Sequence, residues 1–181
     1  QSIFKTHNIQ KFRAKQLIDY IYHRYIFDFE EMTQFPKELR QWLSDNCVIS
    51  LPTLITESVS PDGKTRKILV EMTDQSRVEA VLMEQHYGYS VCVSSQVGCA
   101  MGCVFCASTQ GGLYRDLTVS EIIGQVVIFG ALTKEQIHSV VVMGAGEPLQ
   151  NYDNVLQALQ LLHDPVICNI SYRKMTISTC G

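Results

Sequence analysis

From residue 90 to residue 178 the chain alternates short apolar runs with helical ones, and this alternation restricts its fold more than any other feature. Ser90–Ser95 reads as a strand and is followed by a loop rich in Gly and Cys. Thr118-Val119-Ser120-Glu121 is a capping box that opens a helix with a buried stripe of Ile122, Ile123, Val126 and Val127. Ser139–Met143 is a second strand, Gly144–Gln150 a loop, Val155, Leu156, Leu159 and Leu162 mark a second helix, and Lys174–Ser178 is a third strand. Strands separated by helices pair in parallel through right-handed crossovers, and such sheets carry function at the carboxyl ends of their strands. Each unusual motif of this chain falls at such an end. Three parallel strands cannot close a barrel, so the expectation is a fragment of a longer protein.

Upstream the pattern differs. Residues 1–50 read as a helical module, with Leu17, Ile18, Ile21 and Tyr25 at helical spacing and Pro36 opening a second segment that carries Leu39, Trp42 and Leu43. Lys5, Lys11, Arg13, Lys15 and Arg24, with Phe4 and Phe12 among them, are opposed only by Asp19. They read either as a phosphate-facing patch or as an ordinary solvated helix face. Residues 51–91 read as a β-meander: Ile68, Val70 and Met72 alternate with Leu69 and Glu71, Pro61-Asp62-Gly63 turns the chain, and Val78–Glu84 forms another run. The expected division is therefore 1–50, 51–91 and 92–181.

Composition limits the function classes. With 46% hydrophobic and 18% charged residues the chain is folded, and a net charge of −3 announces neither a nucleic-acid binder nor an acidic tail. No apolar run is long enough to cross a bilayer and no signal-peptide core is present, which gives a cytoplasmic expectation with no membrane partner. Seven cysteines, an odd number, then point to thiol or metal chemistry in place of structural disulfides. Cys99, Cys103 and Cys106 are spaced Cys-x-x-x-Cys-x-x-Cys on one loop. Three thiolates suit a 4Fe-4S cluster with one iron left open. With Cys92 as a fourth ligand they also suit a zinc site, which makes a zinc-stabilised RNA-binding module without catalysis the rival reading.

The triad, with Phe105 before its last cysteine, resembles the signature of the radical S-adenosylmethionine superfamily. The string Cys92-Val93-Ser94-Ser95-Gln96-Val97-Gly98-Cys99 resembles the RlmN/Cfr family of RNA adenine methyltransferases. Phe12-Arg13-Ala14-Lys15-Gln16, Gly112–Thr118, Gly144-Ala145-Gly146-Glu147-Pro148 and Thr176–Gly181 are similar to further motifs of that family, so the resemblance covers nearly the whole chain as an N-terminal portion. Ala145 stands where the family more often has a larger apolar residue, a departure that bears on local packing.

The resemblance implies an α/β fold: the helical module and small meander, then the first βα units of a truncated parallel (β/α) barrel. It implies a cluster on Cys99, Cys103 and Cys106, and S-adenosylmethionine bound through the open iron with Phe105, Gly146, Glu147 and Ser178 around it. Electron transfer into the sulfonium then gives a 5′-deoxyadenosyl radical. Glu79 matches a proton acceptor, and Cys92 a cysteine that resolves a covalent enzyme–RNA intermediate through a transient disulfide bond. The activity implied is methylation of carbon 2 of an adenine in 23S rRNA, and in some members tRNA, with an electron donor such as flavodoxin. Carbon 8, as in Cfr, is the alternative, and Val97 favours carbon 2. The family's methyl-carrying cysteine near its C-terminus has no match here, so the chain is expected to be inactive alone.

Overall fold

The computed structural model describes residues 9–180. Phe4 and Lys5 of the basic segment, and Gly181 of the last motif, lie outside the described residues. Helices α1 (Lys11–Tyr22) and α2 (Lys37–Asn46) form the N-terminal module. Their core is Ala14, Tyr20 and Leu43, together with Phe29, Met32 and Phe35 from the connection. Helix α2 starts after Pro36, whose fixed φ suits a helix entry. Helix α1 stops at Tyr22, three residues short of Tyr25, which takes a left-handed backbone (φ 55°).

Strands β1 (Thr53–Val59), β2 (Thr65–Glu71), β3 (Arg77–Gln85) and β4 (Gly88–Val93) pair antiparallel in sequence order. Strand β4 then pairs in parallel with β7 (Ile137–Val142), and β7 with β8 (Met175–Ile177). The meander and the parallel strands are thus one six-stranded sheet, in the order β1-β2-β3-β4-β7-β8, which runs unbroken across residues 91 and 92. Helices α3 (Val119–Thr133) and α4 (Tyr152–His163) supply the two crossovers. A separate two-stranded hairpin, β5 (Gln96–Gly98) with β6 (Leu113–Asp116), brackets the cysteine loop.

Side chains alternate across a strand, so this register separates the sheet into a packing face and a working face. Ile68, Val70, Val78, Ala80, Leu82, Val91, Val93, Val140 and Val142 are buried in one core with Ile122, Val126, Phe129, Ala158 and Leu162 of the helices. Each of these side chains larger than alanine contributes about 1.5–3 kcal/mol through burial. The opposite face presents the cross-strand row Lys67, Val81, Cys92, Val141 and Thr176, with Glu79 in the adjacent row. No described helix is long and apolar enough to cross a membrane.

Candidate cluster and cofactor site

The cysteine loop is shaped by its own backbone. Cys99 N–H donates to Gly112 O at 3.0 Å, closing the loop where the hairpin ends, and Cys106 N–H donates to Cys103 O at 3.1 Å. Gly102 N–H donates to Thr109 Oγ1 at 2.9 Å across the middle. Cys99 is buried, Cys103 and Cys106 are half-buried, and Phe105 is exposed. The three thiols line one cavity together with Met143, Glu147 and Ser178, at the carboxyl ends of β7 and β8. Phe105 and Gly146 border the same cavity, so it gathers all of the residues expected to hold a cluster and its cofactor.

Glu147 is 6% exposed, and its carboxylate joins two loops. One oxygen accepts the Leu149 N–H at 3.0 Å, the other the Cys180 N–H at 3.0 Å. Burial pushes this carboxyl up, but hydrogen bonds from the Thr179 hydroxyl, the Cys180 and Leu149 amides and the Cys180 thiol outweigh it and hold the group at about 2. The carboxylate in turn pushes the Cys180 thiol up. Gly144 and Gly146 serve the protein's own packing: a Cβ on Gly144 would lie 2.6 Å from Ser94 Oγ, and one on Gly146 (φ +105°) would lie 2.6 Å from Gln96 Cβ. Their immediate neighbours are Ser94 and Gln96.

A second cavity adjoins the first and holds Glu79 and Cys92, with Cys106, Met143 and Gly144 shared between the two. Glu79 is exposed and ion-paired with Lys67 at 2.9 Å. Burial pushes the Cys92 thiol up, partly offset by a hydrogen bond from the Met143 amide. All seven cysteines are free thiols. Burial pushes Cys168 up to about 12, which makes it a protonated packing residue at neutral pH, and Cys47 packs on the core of the helical module. Lys11 and Lys15 on α1 are exposed and line neither cavity, while Arg13 donates to Gln16 and Gln34 and Arg24 pairs with Asp19.

A buried polar network behind the site escaped the sequence reading. Gln125 accepts the Ser94 N–H at 2.9 Å and donates to Ser94 O at 3.1 Å; Ser94 Oγ donates to Glu79 O and accepts the Ala145 N–H. Asn151 donates to Ser95 O at 2.7 Å and to Leu117 O at 2.8 Å. Gln96 accepts the Glu147 N–H at 2.8 Å and donates to Asp116 at 2.7 Å. The available signals were the polar run Ser94-Ser95-Gln96 directly after an apolar strand, and a glutamine within the apolar stripe of α3.

The residues present fit a four-iron cluster. Among the described residues no group of three or more His, Cys, Asp or Glu side chains is gathered closely enough for a single metal ion. The three thiols line one cavity, a donor set with one thiolate for each of three irons, while Cys92 lies in the adjoining one.

Known proteins are similar to this chain over nearly all of its length. Residues 1–49 match the family model of the ribosomal RNA large subunit methyltransferase N-terminal domain, and residues 93–181 match that of the radical SAM superfamily. A probable dual-specificity RNA methyltransferase RlmN of Symbiobacterium thermophilum is 50% identical over 173 residues, covering 94% of this chain and 47% of the relative. Its counterpart in Clostridium perfringens strain 13 is 46% identical over 177 residues, covering 98% and 51%. The crystal structure of a radical SAM methyltransferase from Sphaerobacter thermophilus superposes with a TM-score of 0.92 at 35% identity, over 99% of this chain and 54% of that one. The chain spans about half the length of the curated relatives it matches.

Proposed function

We propose that the chain, which matches the N-terminal domain and radical SAM family models and RlmN relatives over about half their length, belongs to the RlmN group of radical SAM proteins and is the cluster- and cofactor-binding part of an enzyme that methylates carbon 2 of an adenine in 23S rRNA and in tRNA. The observation that carries the proposal is the pair of adjoining cavities: three thiols, Glu147 and Ser178 in one, Glu79 and Cys92 in the other, joined through Cys106 and Met143.

A 4Fe-4S cluster on Cys99, Cys103 and Cys106 would supply electron transfer to S-adenosylmethionine, fed by a reduced donor protein of the flavodoxin kind. Glu147, ionised at neutral pH, offers a carboxylate to the cofactor's ammonium, and Ser178 a hydroxyl beside it. In the second cavity the Glu79 carboxylate, paired with Lys67, is the group to take a proton from the adenine ring. The Cys92 thiol, held by the Met143 amide, is the group that as a thiolate would attack a sulfur linking enzyme to RNA, forming a disulfide as the carbon–sulfur bond breaks and its electron pair leaves with the RNA-bound carbon, which takes up a proton.

Anaerobic reconstitution tests the reading. The chain should take up about four irons and four sulfides, and lose them when Cys99, Cys103 or Cys106 is changed to Ala but not with Cys92→Ala. One metal without sulfide, lost with Cys92→Ala, would establish the zinc module instead. A full-length protein containing this chain should methylate unmodified 23S rRNA at carbon 2 of an adenine; a carbon 8 product would place it in the Cfr branch.

A further inference from the structure

We infer that Gln96 is a positioning residue that ties the backbone of Glu147 to the cysteine hairpin, and thereby sets where the cofactor's ammonium sits relative to the cluster. The inference rests on the function proposed above. Gln96 has no exposed surface although its side chain is polar, and both ends of its amide are used. The carbonyl oxygen accepts the Glu147 N–H at 2.8 Å and the amino group donates to Asp116 Oδ1 at 2.7 Å. Gln96 and Asp116 are cross-strand partners in β5 and β6, so the contact includes both strands that carry the cysteine loop. Cys99 follows Gln96 by three residues. On the other side, Gly146 brings the cofactor loop directly against the Gln96 stem, and Ala145 O accepts the Ser95 and Gln96 N–H groups.

The chemistry demands an amide at this position. A group that accepts from a backbone N–H and donates to a carboxylate at once is neither a carboxylate nor an alkyl chain. Glutamate would set a second negative charge against Asp116, and leucine would leave the Glu147 N–H and an Asp116 oxygen unpaired.

Two measurements on this chain test the inference: hydrogen exchange of the Glu147 amide without cluster, and calorimetric binding of S-adenosylmethionine to the anaerobically reconstituted form. Gln96→Leu and Gln96→Glu should each speed Glu147 amide exchange about tenfold and weaken cofactor binding per cluster about tenfold, the equivalent of one lost hydrogen bond. Iron and sulfide content should stay at the parent level. Adding Asp116→Asn to Gln96→Glu should restore both values, because the new side chain donates where Asp116 accepts. Should Gln96→Leu fail to fold, the Gln96→Glu variant and its rescue carry the test. An unchanged Glu147 amide, an unchanged affinity per cluster, or no rescue would overturn the inference. A parent chain that holds a cluster but binds no S-adenosylmethionine would instead overturn the proposed function, while the Glu147 amide still judges the role of Gln96.

Discussion

At the scale of single residues, Glu147 shows how a carboxylate is kept ionised inside a binding cavity. Its folded value of about 2, against an ordinary 4.5, means that it binds a proton less readily folded than unfolded. Its contribution to stability is therefore complete above pH 4.5 and is lost as the pH falls through that value toward 2. Thermal melts followed by circular dichroism should find the parent more stable than Glu147→Gln at neutral pH, with the gap narrowing across that acid range. A gap that stays constant there would show that the carboxylate lacks its bonds to Thr179, Leu149 and Cys180. The cysteines divide by environment in the same way. Cys168 is pushed up by burial among Tyr22, Tyr25 and Ile170, whereas the loop thiols border open space.

At the scale of elements, the start of α3 braces the site from behind. The Thr118 hydroxyl lies 3.4 Å from the Glu121 N–H and donates to the Glu121 carboxylate, which accepts the Thr118 N–H at 2.8 Å, completing the capping box expected from the sequence. Arg115 of β6 clasps the same carboxylate at 2.8 Å and Asp74 of the β2–β3 turn at 2.7 Å, linking meander, hairpin and helix. Hydrogen bonds to Glu121 and Asp74 hold the Arg115 guanidinium above its usual value, and the same contact holds Asp74 well below the usual carboxylate range. Thr118→Ala should cost about 1 kcal/mol in urea denaturation, and Thr118→Ser should recover most of it. The cap and the charge cluster share Glu121, so Thr118→Ala and Arg115→Ala should not add independently.

At the scale of the whole molecule, the helical module and the α/β core meet where Tyr25 leaves the line of α1. Its hydroxyl occupies the space a Cβ on Gly130 would fill and donates to Glu135 O at 3.2 Å, while Tyr22 and Phe27 pack on the main core. Gly130→Val should expel Tyr25 and loosen this junction. Hydrogen exchange over residues 22–27 should then rise, while β2 and β3 keep their protection, since local openings need not unfold the sheet. Equal loss of protection in both regions would mean that the module and the core unfold as one unit.

Much of this architecture is legible in the sequence. Strand and helix alternation, the capping box, the meander runs and the three-thiol loop all depend on spacing within a few residues, where backbone geometry alone fixes which side chains share a face. The same local reasoning carried Tyr25 along with α1, because periodicity does not reveal where a helix loses its partner. The tertiary structure decided what the glycines of the Gly144–Glu147 loop pack against, that the meander and parallel strands are one sheet, and that Gln96 and Gln125 are interior. Gln96 and Glu147 are 51 residues apart. A buried polar side chain is stable only when a partner is supplied at hydrogen-bond distance. That partner comes from whichever backbone the fold brings near, so no local pattern in the sequence could name it.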